Sequence, residues 1–458
     1  MGNKINFTSL GCSRNLVDTE VMLGIVLKAG YQPVSEPEDA DFLVVNTCGF
    51  LKSAREEALD VLDELFEIKK KSAKVIVVGC MVQGHKKLIE ECYPDVHYYL
   101  GSGDMGKILS ALISEEQGDG VTDAKSFLQQ GEVPRLLTTP NHFGYLKIAE
   151  GCKKRCAFCI IPLIKGKLKS KPIEQVKKEF RALINSGARE IILIAQDLGD
   201  YGKDQEGKPT LAVLLKELLK EEGDFWLRLL YLYPDEIDDE LIELIKNNDR
   251  LLPYLDMPIQ HINDQILKNM HRKTDRKQII NTITKLRKEI PHIVIRSSLM
   301  VGFPQETEEQ FCELLAFVKE YKLDNIGIFQ YSLEEDSYSA KLPGHISEEV
   351  KQDRFERLAA AQAQVAEDKN DQYIGKQLEV VVEAYHPESE HLMTGRFYGQ
   401  APDVDGEVII NDVSGVDTFG ERYLVEITDA IGYDLIGQVI EPMKKRELQE
   451  SRSPLALL

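Results

Sequence analysis

The chain has 458 residues, too many for one hydrophobic core and enough for two to four domains. It is 43% hydrophobic and 29% charged, and it has no apolar run near the ~20 residues of a membrane span, which excludes a membrane-embedded protein. The net charge of −20 opposes general attraction to nucleic acids or anionic membranes and favours a basic partner.

The first segment, MGNKINFTSL, lacks the basic and long apolar regions of a secretion signal. We therefore expect a cytoplasmic location. Thiols stay reduced in that compartment, so the eight cysteines are better candidates for metal ligands or buried positions than for disulfides.

Residues 1–116 alternate short apolar segments with amphipathic ones. INFTSL, DFLVVN and KVIVVG predict buried strands, while NLVDTEVMLGIVLKAG and SAREEALDVLDELFEIKKK predict helices. This alternation is typical of a parallel α/β domain. We predict that a polar linker follows it.

Three cysteines of this domain share one position relative to the predicted strands. Cys12, Cys48 and Cys80 each lie just after a strand, and the ends of parallel strands meet along one edge of a sheet. The sequence therefore predicts a site with three thiolate ligands. Taken singly, each cysteine also fits an ordinary small buried residue.

Residues 138–370 contain a second α/β series. Six strands are predicted near YLKIAE, EIILIA, WLRLLY, YLDMPI, HIVIRS and NIGIFQY, with helical patterns between them. Six units are too few to close an eight-stranded barrel. We predict an open (βα)6 barrel.

The loop after the first of these strands holds Cys152, Cys156 and Cys159 in a C-x3-C-x2-C pattern without a nearby fourth ligand. Structural zinc sites and [4Fe-4S] clusters normally take four protein ligands. Three thiolates on a [4Fe-4S] cluster leave one iron open to a small molecule, and this loop lies at the mouth where such barrels bind ligands. A zinc site with a distant fourth ligand is the alternative.

The last segment, residues 372–441, follows a helical pattern at about 347–373 and consists of strand-like runs between turn residues, which predicts a small antiparallel β-barrel. Residues 373–441 carry three basic residues against fourteen acidic ones, so their net charge is 3 − 14 = −11. Such a barrel should repel RNA and attract a basic protein. A merely soluble spacer is the alternative.

These motifs resemble those of known enzymes. EGCKKRCAFC, with Phe158 before the last cysteine, resembles the radical S-adenosylmethionine superfamily. Together with SLGCSRNLVDTE, NTCGF, VVGC and the C-terminal barrel, it resembles the methylthiotransferases, whose members combine an N-terminal cluster domain (1–116), a radical S-adenosylmethionine core (138–370) and a TRAM domain (372–441).

The resemblance implies two [4Fe-4S] clusters, one on each cysteine triad, and S-adenosylmethionine chelated by the open iron of the barrel cluster. One electron, supplied by a donor such as a flavodoxin or ferredoxin, would cleave S-adenosylmethionine to a 5′-deoxyadenosyl radical. Phe158 and Gln196 are the expected cofactor contacts, while Asp197 fits a cap equally well. No catalytic residue beyond the cluster ligands is expected.

The motif PYLDMPIQH is closer to the branch that modifies ribosomal protein S-twelve than to the transfer RNA branch. The resemblance thus implies a methylthio group added to the β-carbon of an aspartate of that protein. The alternatives are transfer RNA adenosine as substrate, or an iron-sulfur carrier without catalysis of its own. Lys165-Gly166 stands where the family often has Arg-Gly; lysine keeps the charge but loses the planar fork.

Several single residues complete the sequence-based expectations. His261 and Arg296 lie near strand ends of the barrel, where Arg296 could meet a carboxylate, but a barrel-filling or surface role is favoured for each of them. Cys92, Cys312 and Trp226 are predicted to be core residues.

Overall fold

The computed structural model describes residues 2–128, 131–443 and 455–457, which form three α/β or β units in chain order. In this part of the chain no helix is both long and apolar enough to cross a membrane. The α/β class with a small C-terminal barrel is confirmed.

The N-terminal unit is a six-stranded parallel sheet in the order β2-β1-β3-β4-β5-β6, covered by helices. The three strands and two helices that the sequence predicts are all present. β3 is buried along its whole length and β4 is buried after its first residue, as in a parallel sheet covered on both faces. The elements are β1 (Lys4–Ser9), α1 (Ser13–Lys28), β2 (Gln32–Pro33), β3 (Phe42–Thr47), α2 (Lys52–Ile68), β4 (Lys74–Gly79), α3 (Cys80–Cys92), β5 (Tyr98–Gly101), α4 (Ile108–Ile113) and β6 (Gly118–Asp119).

The segment that joins the first two units is partly structured. It contains β7 (Pro134–Leu136), and it is fixed to the N-terminal unit by Arg135, whose Nε donates a 2.8 Å hydrogen bond to Glu20 of α1. Both side chains are fully buried. A last short strand, β21 (Leu455–Leu457), pairs with β7.

The central unit has six parallel strands in sequential order that form an open sheet, as predicted. Its largest core lies between the strands and the surrounding helices. The elements are β8 (Phe143–Lys147), β9 (Ala149–Glu150), α5 (Ile161–Ile164), β10 (Lys169–Ser170), α6 (Ile173–Asn185), β11 (Glu190–Ile194), α7 (Leu211–Leu218), β12 (Trp226–Leu229), α8 (Asp239–Lys246), β13 (Leu251–Asp256), α9 (Asp264–Asn269), α10 (Arg276–Glu289), β14 (Val294–Val301), α11 (Glu308–Tyr321), β15 (Asn325–Gln330) and α12 (Glu348–Asn370).

The C-terminal unit is a closed five-stranded barrel in the order β16-β17-β18-β20-β19. The predicted antiparallel barrel is confirmed with one difference: β18 and β20 pair in parallel. Its strands are β16 (Gln377–His386), β17 (Ser389–Phe397), β18 (Val408–Asp412), β19 (Arg422–Ile431) and β20 (Asp434–Pro442).

The outer units contact opposite ends of the central strands. The N-terminal unit meets residues that follow strands, as in the 2.7 Å ion pair of Arg55 with Glu334. The C-terminal barrel meets residues at strand starts, as in the 2.9 Å ion pair of Arg396 with Glu190. We call these the upper and lower interfaces.

The prediction of a core position is wrong for two residues. Trp226 is buried, but Cys92 and Cys312 are exposed. Cys92 is the last residue of α3, and Cys312 lies on the solvent side of α11, next to the inward-facing Phe311. A helical period alone does not fix which phase faces the core.

Candidate active site

The N-terminal triad is formed by three strand ends of one sheet. Cys12 is the N-cap of α1, Cys48 follows β3, and Cys80 is the first residue of α3 directly after β4. Gly11, at φ +89°, allows the close approach, since a Cβ there would lie 2.7 Å from Cβ of Cys48. The three thiols interact electrostatically with one another, so the sheet brings them together.

The second set of thiols, Cys152, Cys156 and Cys159, lies in the loop between β9 and α5, and we call it the barrel triad. The loop is shaped by backbone hydrogen bonds: Cys159 N–H donates to Cys156 O at 3.1 Å, and Ala157 N–H donates to Met270 O at 3.0 Å. The Cys156 sulfur lies 3.3 Å from the hydroxyl of Tyr233. The three cysteines predicted from spacing therefore share one site at the upper end of the barrel.

The spacing of the sulfur atoms argues against a single bound ion. Within the described residues, the one trio of ligand atoms mutually within 4.8 Å belongs to Asp197, Asp200 and Glu236, so neither cysteine triad is that compact. Zinc–sulfur bonds of about 2.3 Å would bring sulfur atoms to about 3.8 Å of one another. Both triads fit a wider group, such as an iron-sulfur cluster, better than zinc.

Burial makes most of these thiols hard to ionise. It raises the pKa of Cys80 to about 12, of Cys152 to about 11 and of Cys159 to about 12. Cys12 differs: burial raises its pKa, but Arg14, the backbone of Asn15 and Lys165 lower it below the ordinary value. Metal binding must therefore supply the charge that keeps most of these ligands as thiolates.

Arg14 connects the two triads. Its guanidinium interacts with Cys12 and Cys80 of one triad and with Cys159 of the other. It donates a 2.8 Å hydrogen bond to Ala195 O after β11 and lies 5.2 Å from the ring centre of Tyr231. Thiols of both triads therefore lie near Arg14, and we call the region around its guanidinium the common space.

Arg14 has no partner of opposite charge at close range. Among the described residues no carboxylate forms an ion pair with it. The carboxylate of Glu150 raises its pKa but lies too far away to pair with it. Burial works against its charge, yet Cys12 and Tyr231 raise its pKa above the ordinary value, so it remains a cation. A cation without a carboxylate can receive one from a ligand.

A buried ionic network closes the joint beneath the N-terminal triad. Lys165 pairs with Glu150 at 2.7 Å and with Asp18 at 3.7 Å, and Lys147 bonds both acids. All four side chains are nearly inaccessible to solvent. Lys165 also interacts with Cys80. The lysine that stands where the family often has arginine therefore places a positive charge near the N-terminal triad.

Gln196 and Phe158 differ in their surroundings. Both polar side-chain atoms of Gln196 are buried and find no hydrogen-bond partner among the described residues, which is costly unless a bound molecule supplies one. Phe158 packs at the edge of an apolar cluster with Phe303 and Tyr331. These observations fit an organic cofactor at the upper end of the barrel.

The other candidates are structural. Asp197 accepts a hydrogen bond from Gly199 N–H at 3.1 Å and pairs with Lys154 at 2.9 Å, so the capping alternative holds for it. His261 is buried and lies 3.1 Å from Glu306. Arg296 does meet carboxylates, those of Asp256 at 3.2 Å and Asp405 at 3.3 Å.

Sequence reasoning missed Arg14 and the network around Lys165. The available signal was the segment SRNLVDTE, where Arg14, Asp18 and Glu20 interrupt the apolar face of a helix that begins at a candidate ligand. Charged residues on a face that should be buried indicate an interface or a site.

The C-terminal barrel turns its arginines inward. Arg396 pairs with Glu190 and Glu383, and Arg422 pairs with Asp224 and, at 2.7 Å, with Glu379. Lys376 is thus the one basic residue of residues 373–441 outside the lower interface. The barrel also has several exposed carboxylates: Glu388, Glu390, Asp412, Asp417, Asp429 and Glu441.

Three family models match successive parts of the chain. Residues 4–101 match "Uncharacterized protein family UPF0004", residues 146–318 match the radical SAM superfamily, and residues 374–440 match the TRAM domain. The radical SAM match implies S-adenosylmethionine and a [4Fe-4S] cluster.

Curated relatives are similar over nearly the full length. The ribosomal protein uS12 methylthiotransferase RimO of Protochlamydia amoebophila is 58% identical over 96% of this chain and 93% of its own length. The protein of the same name from Bdellovibrio bacteriovorus is 42% identical over 95% of this chain and 97% of its own.

A solved structure shares the fold. The radical S-adenosylmethionine methyltransferase TsrM from Kitasatospora setae, with cobalamin and a [4Fe-4S] cluster bound, aligns with a TM-score of 0.52 at 12% identity. The alignment covers 86% of this chain and 77% of TsrM. At this identity the likeness is one of fold alone.

Proposed function

The chain belongs to the ribosomal protein uS12 methylthiotransferase (RimO) family of radical S-adenosylmethionine enzymes, and from this premise we propose that it adds a methylthio group to the β-carbon of an aspartate of uS12, which is ribosomal protein S-twelve. The observation that carries the proposal is the position of Arg14, whose guanidinium interacts with thiols of both triads. A transfer of sulfur between two cluster sites needs the two sites to lie close together.

In this proposal Cys152, Cys156 and Cys159 hold one [4Fe-4S] cluster, and Cys12, Cys48 and Cys80 hold a second. When bound, the clusters and S-adenosylmethionine would supply the radical that removes hydrogen and the sulfur atom that replaces it, and a second S-adenosylmethionine would supply the methyl group on that sulfur. The wide sulfur spacing and the three-thiol sets support this ligand assignment.

Gln196 and Phe158 bind the organic cofactor. The amide of Gln196 offers a donor and an acceptor that no other described group uses, so it can orient a polar cofactor group. Phe158 supplies an apolar surface in the loop that carries the barrel triad. Neither side chain moves a proton.

Arg14 holds the carboxylate of the substrate aspartate. It is a fixed cation between the triads, and a guanidinium can bind both oxygens of a carboxylate. A bidentate contact would orient the β-carbon of the substrate in the common space. The buried network around Lys165 keeps water out beneath it.

The acidic C-terminal barrel attracts the basic substrate protein. With Arg396 and Arg422 turned into the lower interface, its outward surface is dominated by carboxylates. Such a surface speeds encounter with a basic protein and opposes RNA. The proposed domain limits are 1–116, 138–370 and 372–441, with the cytoplasm as location and a flavodoxin or ferredoxin as electron donor.

The test offers both candidate substrates to one enzyme. The protein is reconstituted anaerobically with iron and sulfide, reduced with S-adenosylmethionine present, and given uS12 and transfer RNA in parallel, with mass spectrometry on each. We expect a methylthio mass gain on an aspartate of uS12. Gain on the RNA alone would overturn the substrate assignment, and no cleavage of S-adenosylmethionine would favour a non-catalytic iron-sulfur carrier.

A further inference from the structure

A cavity of about 490 Å³ opens beside Cys156 on the outside of the barrel triad. Cationic side chains dominate its lining, with Lys153, Lys154 and Arg155 from the cysteine loop and Arg272 and Lys273 from the turn after α9. One carboxylate lies among them. In a chain of net charge −20, this concentration of cations against a ligand thiol is exceptional.

These cations fall into two groups. Lys154 pairs with Asp197 and Glu236, and Lys153 lies 3.4 Å from Asp200, so both fix the loop. Arg155 and Lys273 are exposed, and within the described part of the chain neither forms an ion pair. Their charges are therefore available to a partner.

The cavity is lined by Cys156, whereas Cys159 is the thiol of this triad that interacts with Arg14. Cys159 interacts with Arg14 and thus faces the N-terminal triad. Cys156 instead contacts the hydroxyl of Tyr233 and, at 3.7 Å, the guanidinium of Arg272, and it lines the cavity. A partner seated here would approach the barrel cluster from the side of Cys156.

We propose that this cavity and its rim, Arg155 and Lys273, form the docking surface for an acidic one-electron carrier protein. The inference rests on the proposed function, which requires reduction of the group held by the barrel triad. The carrier loses one electron, which passes by way of the Cys156 side to that group. No proton or covalent bond is exchanged.

An acidic protein fits this surface better than RNA does. RNA-binding faces carry basic residues in a stripe that follows the phosphate backbone, because several phosphates must be neutralised. Here the two unpaired cations, Arg155 and Lys273, line a single cavity together with Cys156, a proposed cluster ligand. The short path to the thiol would serve electron transfer and would serve no purpose in phosphate binding.

The test separates reduction by a protein from reduction by a small molecule. The double variant R155E/K273E is compared with wild type and with K71E/K87E, which makes the same charge change at exposed lysines of the N-terminal unit. Cluster reduction is followed by absorbance after mixing with reduced flavodoxin or with dithionite. Iron content per chain checks that each variant is loaded.

We expect R155E/K273E to be reduced by flavodoxin about tenfold more slowly, to lose most of the salt dependence of that rate, and to react normally with dithionite. K71E/K87E should match wild type with both. An unchanged flavodoxin rate in R155E/K273E would overturn the proposal, and weakened binding to ribosomal RNA alone would assign the surface to RNA. These rates need no uS12, so a failure of the proposed function would appear separately, in the product assay.

Discussion

The upper and lower interfaces of the central barrel are both polar and buried, but an arginine at each of them differs in whether it is paired with a carboxylate. At the lower interface Arg396 donates to Glu190, to Glu383 and, at 2.9 Å, to Gln400 O. At the upper interface, among the described residues, no carboxylate pairs with Arg14 and neither polar atom of Gln196 has a hydrogen-bond partner. Arg396 is thus satisfied by groups of the protein itself, whereas Arg14 and Gln196 lack comparable partners in the described part of the chain.

The difference distinguishes a joint from a binding site. An unsatisfied buried polar group costs free energy and persists in a folded protein where a ligand or a function compensates. The upper interface also holds six thiols, and it combines a triad set by three strand ends with a triad set by one loop. Changes there should affect chemistry, and changes below should affect stability alone.

The largest effect should come from the thiols and should differ between the triads. Cys156→Ala is expected to abolish cleavage of S-adenosylmethionine, since in the proposed function the barrel triad holds the cluster that binds S-adenosylmethionine. Cys48→Ala should abolish the methylthio product and leave that cleavage in place. Release of 5′-deoxyadenosine and iron content per chain measure the difference. Equal loss of cleavage in both variants would contradict the separation of roles.

Lys165→Met should destabilise the upper joint by about 3–5 kcal/mol, because it leaves Glu150 and Asp18 buried with a single lysine between them. Urea unfolding of the apoprotein measures the loss. Lys165→Arg retains the charge and serves as the matched control, which should lose much less. A loss below 1 kcal/mol in Lys165→Met would show that the network contributes little.

Arg14→Gln should lower methylthio transfer by about tenfold to a hundredfold, the effect of losing a hydrogen bond between charged groups at about 1.5–3 kcal/mol. Cleavage of S-adenosylmethionine should continue without coupling to product. The sharper measurement replaces the substrate aspartate by asparagine: wild type should discriminate between the two substrates and Arg14→Gln should not. Retained discrimination would show that Arg14 acts on the thiols and leaves the carboxylate to another group.

The change expected at the lower interface affects stability and leaves the chemistry intact. Burial opposes the charge of Glu383, but His142 and Arg396 lower its pKa to about 2. The folded pKa is depressed, so the stabilisation is complete above the ordinary pKa of about 4.5 and is lost as pH falls toward 2. Glu383→Gln should therefore cost about 2–3 kcal/mol at pH 7 and progressively less between pH 4.5 and 2.

Denaturant titrations at several pH values test this, and cluster chemistry serves as the control. Glu383→Gln should leave the iron content and the cleavage of S-adenosylmethionine unchanged. A pH-independent loss of stability would mean that packing rather than charge explains the effect. A loss of cleavage would contradict the division between the two interfaces.

Much of the fold could be predicted because its signals are local. The apolar runs of β3, β4 and β11 are short and bounded by turns, and the cysteines after β1, β3 and β4 share a phase that parallel pairing converts into proximity. The spacing of the barrel triad is likewise contained in eight residues. These parts of the site follow from periodicity and order along the chain.

What could not be predicted depends on contacts between distant segments. Arg14 and Lys165 are 151 positions apart in the sequence, and no local pattern indicates that both interact with Cys12. The exposure of Cys92 and Cys312 depends on which face of a helix is packed. The side of the barrel that each outer unit contacts is set by side-chain pairing, such as Arg396 with Glu190, that has no local signal.

The inward position of Arg396 and Arg422 has an evolutionary consequence. Both arginines are committed to the lower interface, so selection on them is selection for domain packing. The outward carboxylates, such as Asp412 and Asp429, are free of that constraint. Lineages can therefore change the charge of this surface, and with it the macromolecule it attracts, by single substitutions that leave the joint intact. The outward surface of the C-terminal barrel can therefore diverge while the central unit and its lower interface stay the same.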